Sequence, residues 1–404
     1  MPDRIAGIQS NFRRGSIGGR RFGTMVIARA PHRIATVLAV LALLLAACSG
    51  PGSGSDEPAG SDAPDSQPPA SQAPASEAAE EPNELLVLEW SGYEAEDFWV
   101  DFAEANPDTE VSFEFGDTDA TILGLMEGGS QADIFHFYTG WQQFYVDAGL
   151  VREIDTSKLE NWDKVPVEYQ ELGQIDGKQY FVPWDWGFTS ILYNTEQVDE
   201  VTSWDVLFDE QYAGHISMWN DGPGAVAVSS YINGWDETNL TDDQLAQIEA
   251  DWIAQKPLNA FYWTGEYTDL CPAVQDGTIW VAYAWQGCYA TALAAGDPVA
   301  YANPEEGRNS WVGLYGISAD TESPELALEF LDQKLADTTC SNAVTLFYYG
   351  CANADVMAAI EDPVLIEAFG LDDPDILETT NFTPNVTEEQ RAAWTAMWER
   401  VQAN

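Results

Sequence analysis

Past residue 84 the chain alternates short apolar runs with amphipathic stretches, and their order predicts a fold. ELLVLEWSG (84–92) reads as a buried first strand. AEDFWVDFAEANP (95–107) reads as the helix after it, closed before Pro107. TEVSFEFGD (109–117) alternates as a second strand, ATILGLMEGG (120–129) is a short helix, and ADIFHFYTG (132–140) a third strand. Such a βαβαβ rhythm predicts a mainly parallel sheet with helices on its faces. Further along, FVPWDWGFTSIL (181–192) reads as a strand on which Trp184 and Trp186 share one face and Asp185 points to the other. WDVLFDEQYAG (204–214) suggests a helix and turn, and HISMWNDGPG (215–224) a strand ending in a Gly/Pro loop. TDDQLAQIEADWIAQK (241–256) is a helix, and TIWVAYAWQGCYATALAAG (278–296) a strand, a loop and a helix. SPELALEFLDQKL (323–335) and TEEQRAAWTAMWERV (387–401) are late helices, and no internal repeat is evident.

The pattern is absent from the first 84 residues. Residues 49–83 are almost entirely Ser, Gly, Pro, Ala, Gln and acid, with no apolar surface to offset ordering entropy, so a disordered tether is expected there. Before it, seven arginines (4, 13, 14, 20, 21, 29, 33) precede an uncharged apolar run, Ile34 to Cys48. A basic segment, a short apolar run and small residues make an export signal. The run is shorter than the roughly 20 residues a membrane-spanning helix needs. Leu45-Ala46-Ala47-Cys48 resembles the lipobox of bacterial lipoproteins, which implies that Cys48 is lipidated and becomes the first mature residue. The alternative is an ordinary signal peptide with a chance cysteine. The Arg13-Arg14 and Arg20-Arg21 pairs hint at twin-arginine export, and Met25 is an alternative start that would discard both. The expected division is therefore 1–47 signal peptide and 48–84 anchored tether, on an exported protein held at the outer face of the cytoplasmic membrane.

Composition changes the picture in one respect. The 404 residues carry 16 Lys/Arg against 67 Asp/Glu, a formal charge of −51. Removal of residues 1–47 takes seven of the cations and one acid, Asp3, which leaves nine against 66, or −57. Such a field repels nucleic acid and anionic lipid and attracts cations. Adaptation to salt, where a carboxylate-rich surface stays hydrated, is the preferred explanation of the global charge, so acidity alone does not identify a ligand. Beyond Cys48 stand Cys271, Cys288, Cys340 and Cys351, an even number that suggests disulfides in an exported chain. Of the three connectivities the sequence-local one, Cys271–Cys288 with Cys340–Cys351, is preferred. The spacing lacks C-x-x-C and histidines are nearly absent, so no zinc or other metal site is expected.

Catalysis finds little support. His136 and His215 sit in no H-E-x-x-H, no G-x-S-x-G accompanies them, and there is no phosphate-binding G-x-x-x-x-G-K-[ST]. Each histidine is read as a strand residue with a satisfied hydrogen bond. Paired carboxylates for glycoside hydrolysis carry no specificity in a chain this acidic. The 16 tryptophans say more, because Trp90, Trp141, Trp184, Trp186, Trp219, Trp285 and Trp311 lie at the ends of predicted strands. In open α/β folds ligands bind beyond the carboxyl ends of strands. Aromatic faces there hold an organic cation, at ~0.5–2 kcal/mol per ring, or stack on a sugar.

Four stretches carry a resemblance. VREIDTSKLENWDKV (151–165), YFVPWDWGFTSILYN (180–194), VTSWDVLFDEQYAG (201–214) and DGTIWVAYAWQGCYATALAAGDPVAYANPEEG (276–307) resemble, in order, the bacterial spermidine/putrescine-binding proteins. These are extracellular solute-binding components of ABC importers. The resemblance spans about residues 85–400. It implies an α/β, two-lobed periplasmic-binding-protein-like fold, with the ligand cleft between lobes joined by crossover strands. Lobe 1 would take residues 85–190 and 306–360, lobe 2 residues 191–305, and the helices of 361–404 would pack across both. Carried over residue by residue, the ligand set is Trp90, Ser91 and Tyr93, Tyr138 and Thr139, Asp221, Trp285, Trp311 and Tyr349. Trp184, Asp185, Trp186 and Trp219 are expected at the cleft floor or hinge. Two family acids fall on Gly224 and Gly313, which favours a polyamine less and a smaller organic cation or neutral solute more. Tyr348-Tyr349 resembles the paired tyrosines of ferric-ion-binding relatives, a lesser alternative. The implied partners are a small-molecule ligand, a membrane permease and its ATPase, with no cofactor, no nucleic acid, membrane contact through the lipid anchor alone, and a monomeric state. The competing reading is a secreted carbohydrate-active enzyme or sugar-binding protein using the same aromatics. A sensor or adhesin without a permease is the third.

Overall fold

The computed structural model describes residues 83–264, 267–373 and 375–404. The signal segment, Cys48, both candidate start codons and the tether up to residue 82 lie outside the described residues. One sheet of eleven strands organises the rest. Its strands are β1 (Asn83–Glu89), β2 (Thr109–Phe115), β3 (Ile134–Tyr138), β4 (Phe181–Asn194), β5 (Ile216–Trp219) and β6 (Asn259–Trp263). They continue with β7 (Val281–Trp285), β8 (Val299–Tyr301), β9 (Asn309–Ile317), β10 (Gly350–Cys351) and β11 (Asn381–Phe382). The main order is β2-β1-β3-β9-β4-β7-β5-β6. Pairing of β1 with β2 begins at Asn83 and Glu84, so the sheet reaches two residues into the segment expected to be tether.

The directions of these strands create the site. β1 runs parallel to β2 and to β3, and β5 runs parallel to β6 and to β7. Between these two groups lie β9 and β4, antiparallel to each other and to the neighbouring group. β3 therefore ends at Tyr138 opposite Gly313 of β9, while β7 ends at Trp285 opposite Thr189 of β4. Both groups direct their carboxyl ends at the middle of β4, a stretch of about 13 Å from Asp185 to Thr189 at ~3.3 Å per residue. All fourteen β4 residues are buried, so the crossing is also the core.

At that crossing the expected alternation fails. Val312 pairs with Trp186 and Leu314 with Pro183, so Trp184 and Asp185 together oppose Gly313. Such a bulge re-aims side chains. Trp184 and Asp185 consequently share surroundings, both meeting Tyr93 and His136. Trp186 packs elsewhere, against Tyr169, Phe188 and Phe369.

Other sequence expectations need correction too. The first helix is split at Trp99 (φ −150°) into a 3-10 turn, Glu96–Phe98, and α1 (Val100–Ala105). The stretch 204–214 forms two 3-10 turns, Trp204–Phe208 and Glu210–Tyr212, because Ser203 and Asp209 each start a new turn by capping Asp205 N and Gln211 N. The Gly/Pro run at 222–224 is not a loop. It is the first turn of α3 (Gly222–Asn233), capped by Asp221 Oδ2 on Gly224 N at 2.7 Å, with Pro223 in the first turn. α3 is almost wholly buried, so no amphipathic period announces it. The helix α5 (Gln286–Ala295) follows β7 with no loop between. By contrast α2 (Asp119–Glu127), α4 (Asp242–Gln255), α6 (Pro324–Lys334) and α8 (Glu388–Ala403) fall where the pattern puts them. α4 and α8 each open with a complete Thr/Gln capping box. α7 (Asp337–Phe347) follows α6 closely and leads to β10. Disulfides join Cys271 to Cys288 and Cys340 to Cys351, with Cα–Cα 5.5 Å in each.

Gly313 is required by the bulge. A Cβ there would overlap the Asp185 carboxylate and press on His136 Nε2, both fully buried. Gly313→Ala should cost at least ~2 kcal/mol, in the range of overpacked cores. Urea denaturation should show a lowered midpoint with an unchanged slope.

Candidate functional site

A belt of rings lines the place where the two strand groups meet. Trp90, just past β1, lies 5.2 Å (centroid to centroid) from Tyr138 at the end of β3, and Tyr138 lies 5.2 Å from Trp311 on β9. Trp311 continues to Tyr349 at 4.9 Å, and Phe347 closes the row onto Tyr93. Across β4 a second group forms, with Trp285 at the end of β7 packed edge-on against Trp219 (5.4 Å) and Trp263 (5.0 Å). The two groups come together along β4: Trp285 pairs with Thr189, and Trp311 covers Gly187, beside Gln286.

Other expected residues take different places. Ser91 is exposed in the turn after β1. Thr139 is buried and its Oγ1 accepts from Val312 N, so it fastens β3 to β9. Trp184 and Trp186 are core residues, the first beneath the Lys334 ammonium (3.8 Å to the ring centroid), the second donating its indole N–H to Cys351 O at 3.0 Å. Gly224 leaves no room for a longer side chain, since a Cβ would stand 3.0 Å from Tyr283 Oη and 3.2 Å from Asp221 Oδ2. Tyr348 takes a left-handed conformation (φ 55°) at the end of α7, and its carbonyl accepts from Gln286. Among the described residues no group of three or more His, Cys, Asp or Glu is placed to hold a metal ion. Nor, among them, is any helix long and apolar enough to cross a membrane.

Beneath the belt lies a buried polar cluster that sequence reasoning missed. His136 Nδ1 meets Glu89 Oε1 at 2.6 Å, and its Nε2 stands 3.5 Å from Asp185 Oδ1. Tyr315 donates to Glu89 at 2.6 Å and Tyr93 to Asp185 at 2.7 Å. Burial works against charge here, but His136, Lys334 and Tyr315 outweigh it and hold Glu89 below the usual carboxylate range. Burial likewise opposes a charged His136, yet Glu89 and Asp185 raise it to about 9. Burial lowers Lys334 to about 8 against the pull of the same two acids. At neutral pH the cations His136 and Lys334 thus accompany the Glu89 anion. The cluster also sets hydrogen-bond direction. Tyr93 donates to Asp185, so in its 2.9 Å contact with Tyr138 it accepts, and the Tyr138 oxygen keeps only acceptor capacity for a further partner.

A second charged group bridges the strand groups. α8 packs on α3 and α4, with Trp398 donating to Asn220 at 2.9 Å. From that helix Arg391 reaches across to the loop after β3. Its Nη2 donates to Gly140 O at 2.7 Å, and its guanidinium lies 4.0 Å from the Trp141 ring centroid. Asp119, at the start of α2, and Asp221, the cap of α3, are the carboxylates acting on it. Burial pushes each of these acids up to about 6, although Arg391 and a backbone N–H work the other way. The available sequence signal for Arg391 was scarcity: it is one of nine cations after Cys48.

Comparison with known proteins fits this geometry. The family described as bacterial extracellular solute-binding protein matches residues 99–361. The putrescine-binding periplasmic protein SpuD of Pseudomonas aeruginosa is 21% identical over 341 residues, 79% of this chain and 92% of that protein. The putrescine-binding periplasmic protein PotF of Escherichia coli is 22% identical over 345 residues, 78% and 92% respectively. Among solved structures, the spermidine/putrescine ABC transporter substrate-binding protein PotD of Streptococcus pneumoniae superposes with a TM-score of 0.68 at 17% identity, covering 80% of this chain and 99% of that one. The likeness is one of fold: two α/β lobes joined by crossover strands, here β4 and β9.

Asp221 offers a test of the electrostatics. Its folded pKa of about 6 lies above the ordinary 3.8, so the folded state binds the proton more tightly. The cost of its burial is absent below pH ~4, grows as pH rises to ~6 and is complete above that. Asp221→Asn keeps a side-chain cap while removing the charge. It should stabilise the protein by about 1–3 kcal/mol at pH 8 and by nothing at pH 4, read from denaturation midpoints at the two pH values.

Proposed function

Because the chain belongs to the bacterial extracellular solute-binding protein family, we propose that it captures a small organic cation outside the cytoplasmic membrane and delivers it to the permease of an ATP-driven importer. The putrescine-binding relatives, alike over most of their length, support a polyamine or a smaller amine as the solute. The observation that carries the reading is the belt Trp90–Tyr138–Trp311–Tyr349, which lies where the strand groups converge and includes, at Tyr138, a hydroxyl that can only accept. Aromatic faces supply area and cation–π attraction, and the Tyr138 oxygen receives an N–H. In this reading residues 85–190 and 306–360 form one lobe, residues 191–305 the other, and 361–404 span both. Ligand contacts that reach both lobes favour closure, and Trp285, Trp219 and Asp221 supply the second wall. Export through the basic leader and anchoring at Cys48 keep a monomeric receptor beside its permease, with the acidic segment before Asn83 as its leash. The relatives are named as binding proteins, which supports capture without turnover.

Trp311 tests the reading, because its ring touches both Tyr138 and Tyr349. Trp311→Ala should weaken the amine found in a thermal-shift screen by more than about tenfold, the equivalent of ~1.4 kcal/mol. Trp280→Ala, where the ring stacks on His215 at the far end of β7, should leave affinity unchanged in the same calorimetric titration.

A further inference from the structure

Resting on that reading, the charges and hydrogen-bond donors of the cleft define its solute more narrowly. Two carboxylates stand beneath it, and the protein supplies cations for them. Glu89 and Asp185 face His136 and Lys334. A ligand with two or three ammonium groups would find this counter-charge already committed. Gly313 and Gly224 cannot be offset by nearby space, since Asp185 and Tyr283 fill it.

The donors point the opposite way. The indole N–H groups of Trp90 and Trp311, on the two rings that flank Tyr138, are buried without an acceptor among the described residues. So is Nε of Arg391, whose guanidinium spans from α8 to the loop after Tyr138. Buried donors of this kind cost free energy until an acceptor arrives. The Tyr138 oxygen offers the complementary function, an acceptor for one N–H. We propose that the solute is a zwitterion, an amine whose other end is a carboxylate, with the ammonium at Tyr138 inside the ring belt and the carboxylate received by Arg391 and the indole N–H groups. Arg391 then sets specificity: it takes the place that a second ammonium of a diamine would need and offers a charged donor there instead.

Putrescine and 4-aminobutanoate are matched probes, four-atom spacers that differ in one terminal group. Calorimetry on the exported protein should give a dissociation constant for 4-aminobutanoate at least about tenfold below that for putrescine, as one charge-assisted hydrogen bond allows. Arg391→Gln should weaken 4-aminobutanoate by a similar factor and leave putrescine equal or tighter. Equal loss of both ligands would assign Arg391 a merely structural role and overturn the inference. Tighter binding of putrescine to the unaltered protein would overturn it while leaving amine capture intact. Binding of neither probe, with another amine found by thermal shift, would do the same. Failure of every small solute to bind would overturn the capture reading as well.

Discussion

The antiparallel crossing of β4 and β9 is the constraint on which the remaining structure depends. Two parallel strand groups can direct their carboxyl ends at one place only if long strands pass between them and are held by both. Burial of all fourteen β4 residues makes that crossing the centre of the core as well as the floor of the candidate site. The bulge opposite Gly313 then decides the chemistry of the floor. It turns Asp185 inward beside Trp184, into the reach of Tyr93 and His136, where strict alternation would have sent it to the other face. A single irregularity in register thus converts a structural crossing into a polar cluster with defined hydrogen-bond direction.

The charge of the molecule gives this arrangement its economy. Nine cations remain after Cys48, and three of them, Arg308, Lys334 and Arg391, are drawn wholly or partly into the interior. Arg308 sits 5.0 Å from the Tyr301 ring centroid and 5.3 Å from that of Phe188, and donates to two main-chain carbonyls. Lys334 lies over Trp184, and Arg391 over Trp141. In each case an aromatic face compensates part of what desolvation removes. Rings in this protein therefore hold its own cations in the same manner as they would hold a solute's.

Much of the fold was legible because parallel strands and amphipathic helices write their periods directly into the chain. The βαβαβ start, the strands at 216–219 and 281–285, and the helices at 242–255 and 388–403 follow from such patterns. α3 escaped because it is buried all round and its first turn is spelled Gly-Pro-Gly, the usual spelling of a loop. In the candidate site, aromatic positions were readable from strand ends, and a carried-over motif brought in Tyr349. The polar cluster was not readable. Glu89, His136, Asp185 and Lys334 lie on four separate elements, and their meeting depends on a bulge that no local pattern encodes. Arg391 is far from Gly140 and Trp141 in sequence and reaches them only through the docking of α8.

The Cys340–Cys351 bond has a consequence for where the molecule becomes competent. It closes the segment that carries Phe347 and Tyr349, and Cys351 in turn pairs with Asp185 through β10. One wall of the ring belt is therefore pinned to its floor by a covalent tie that reducing cytosol would withhold. For an exported solute-binding protein, the ring belt would therefore be completed only in a compartment where thiols are oxidised.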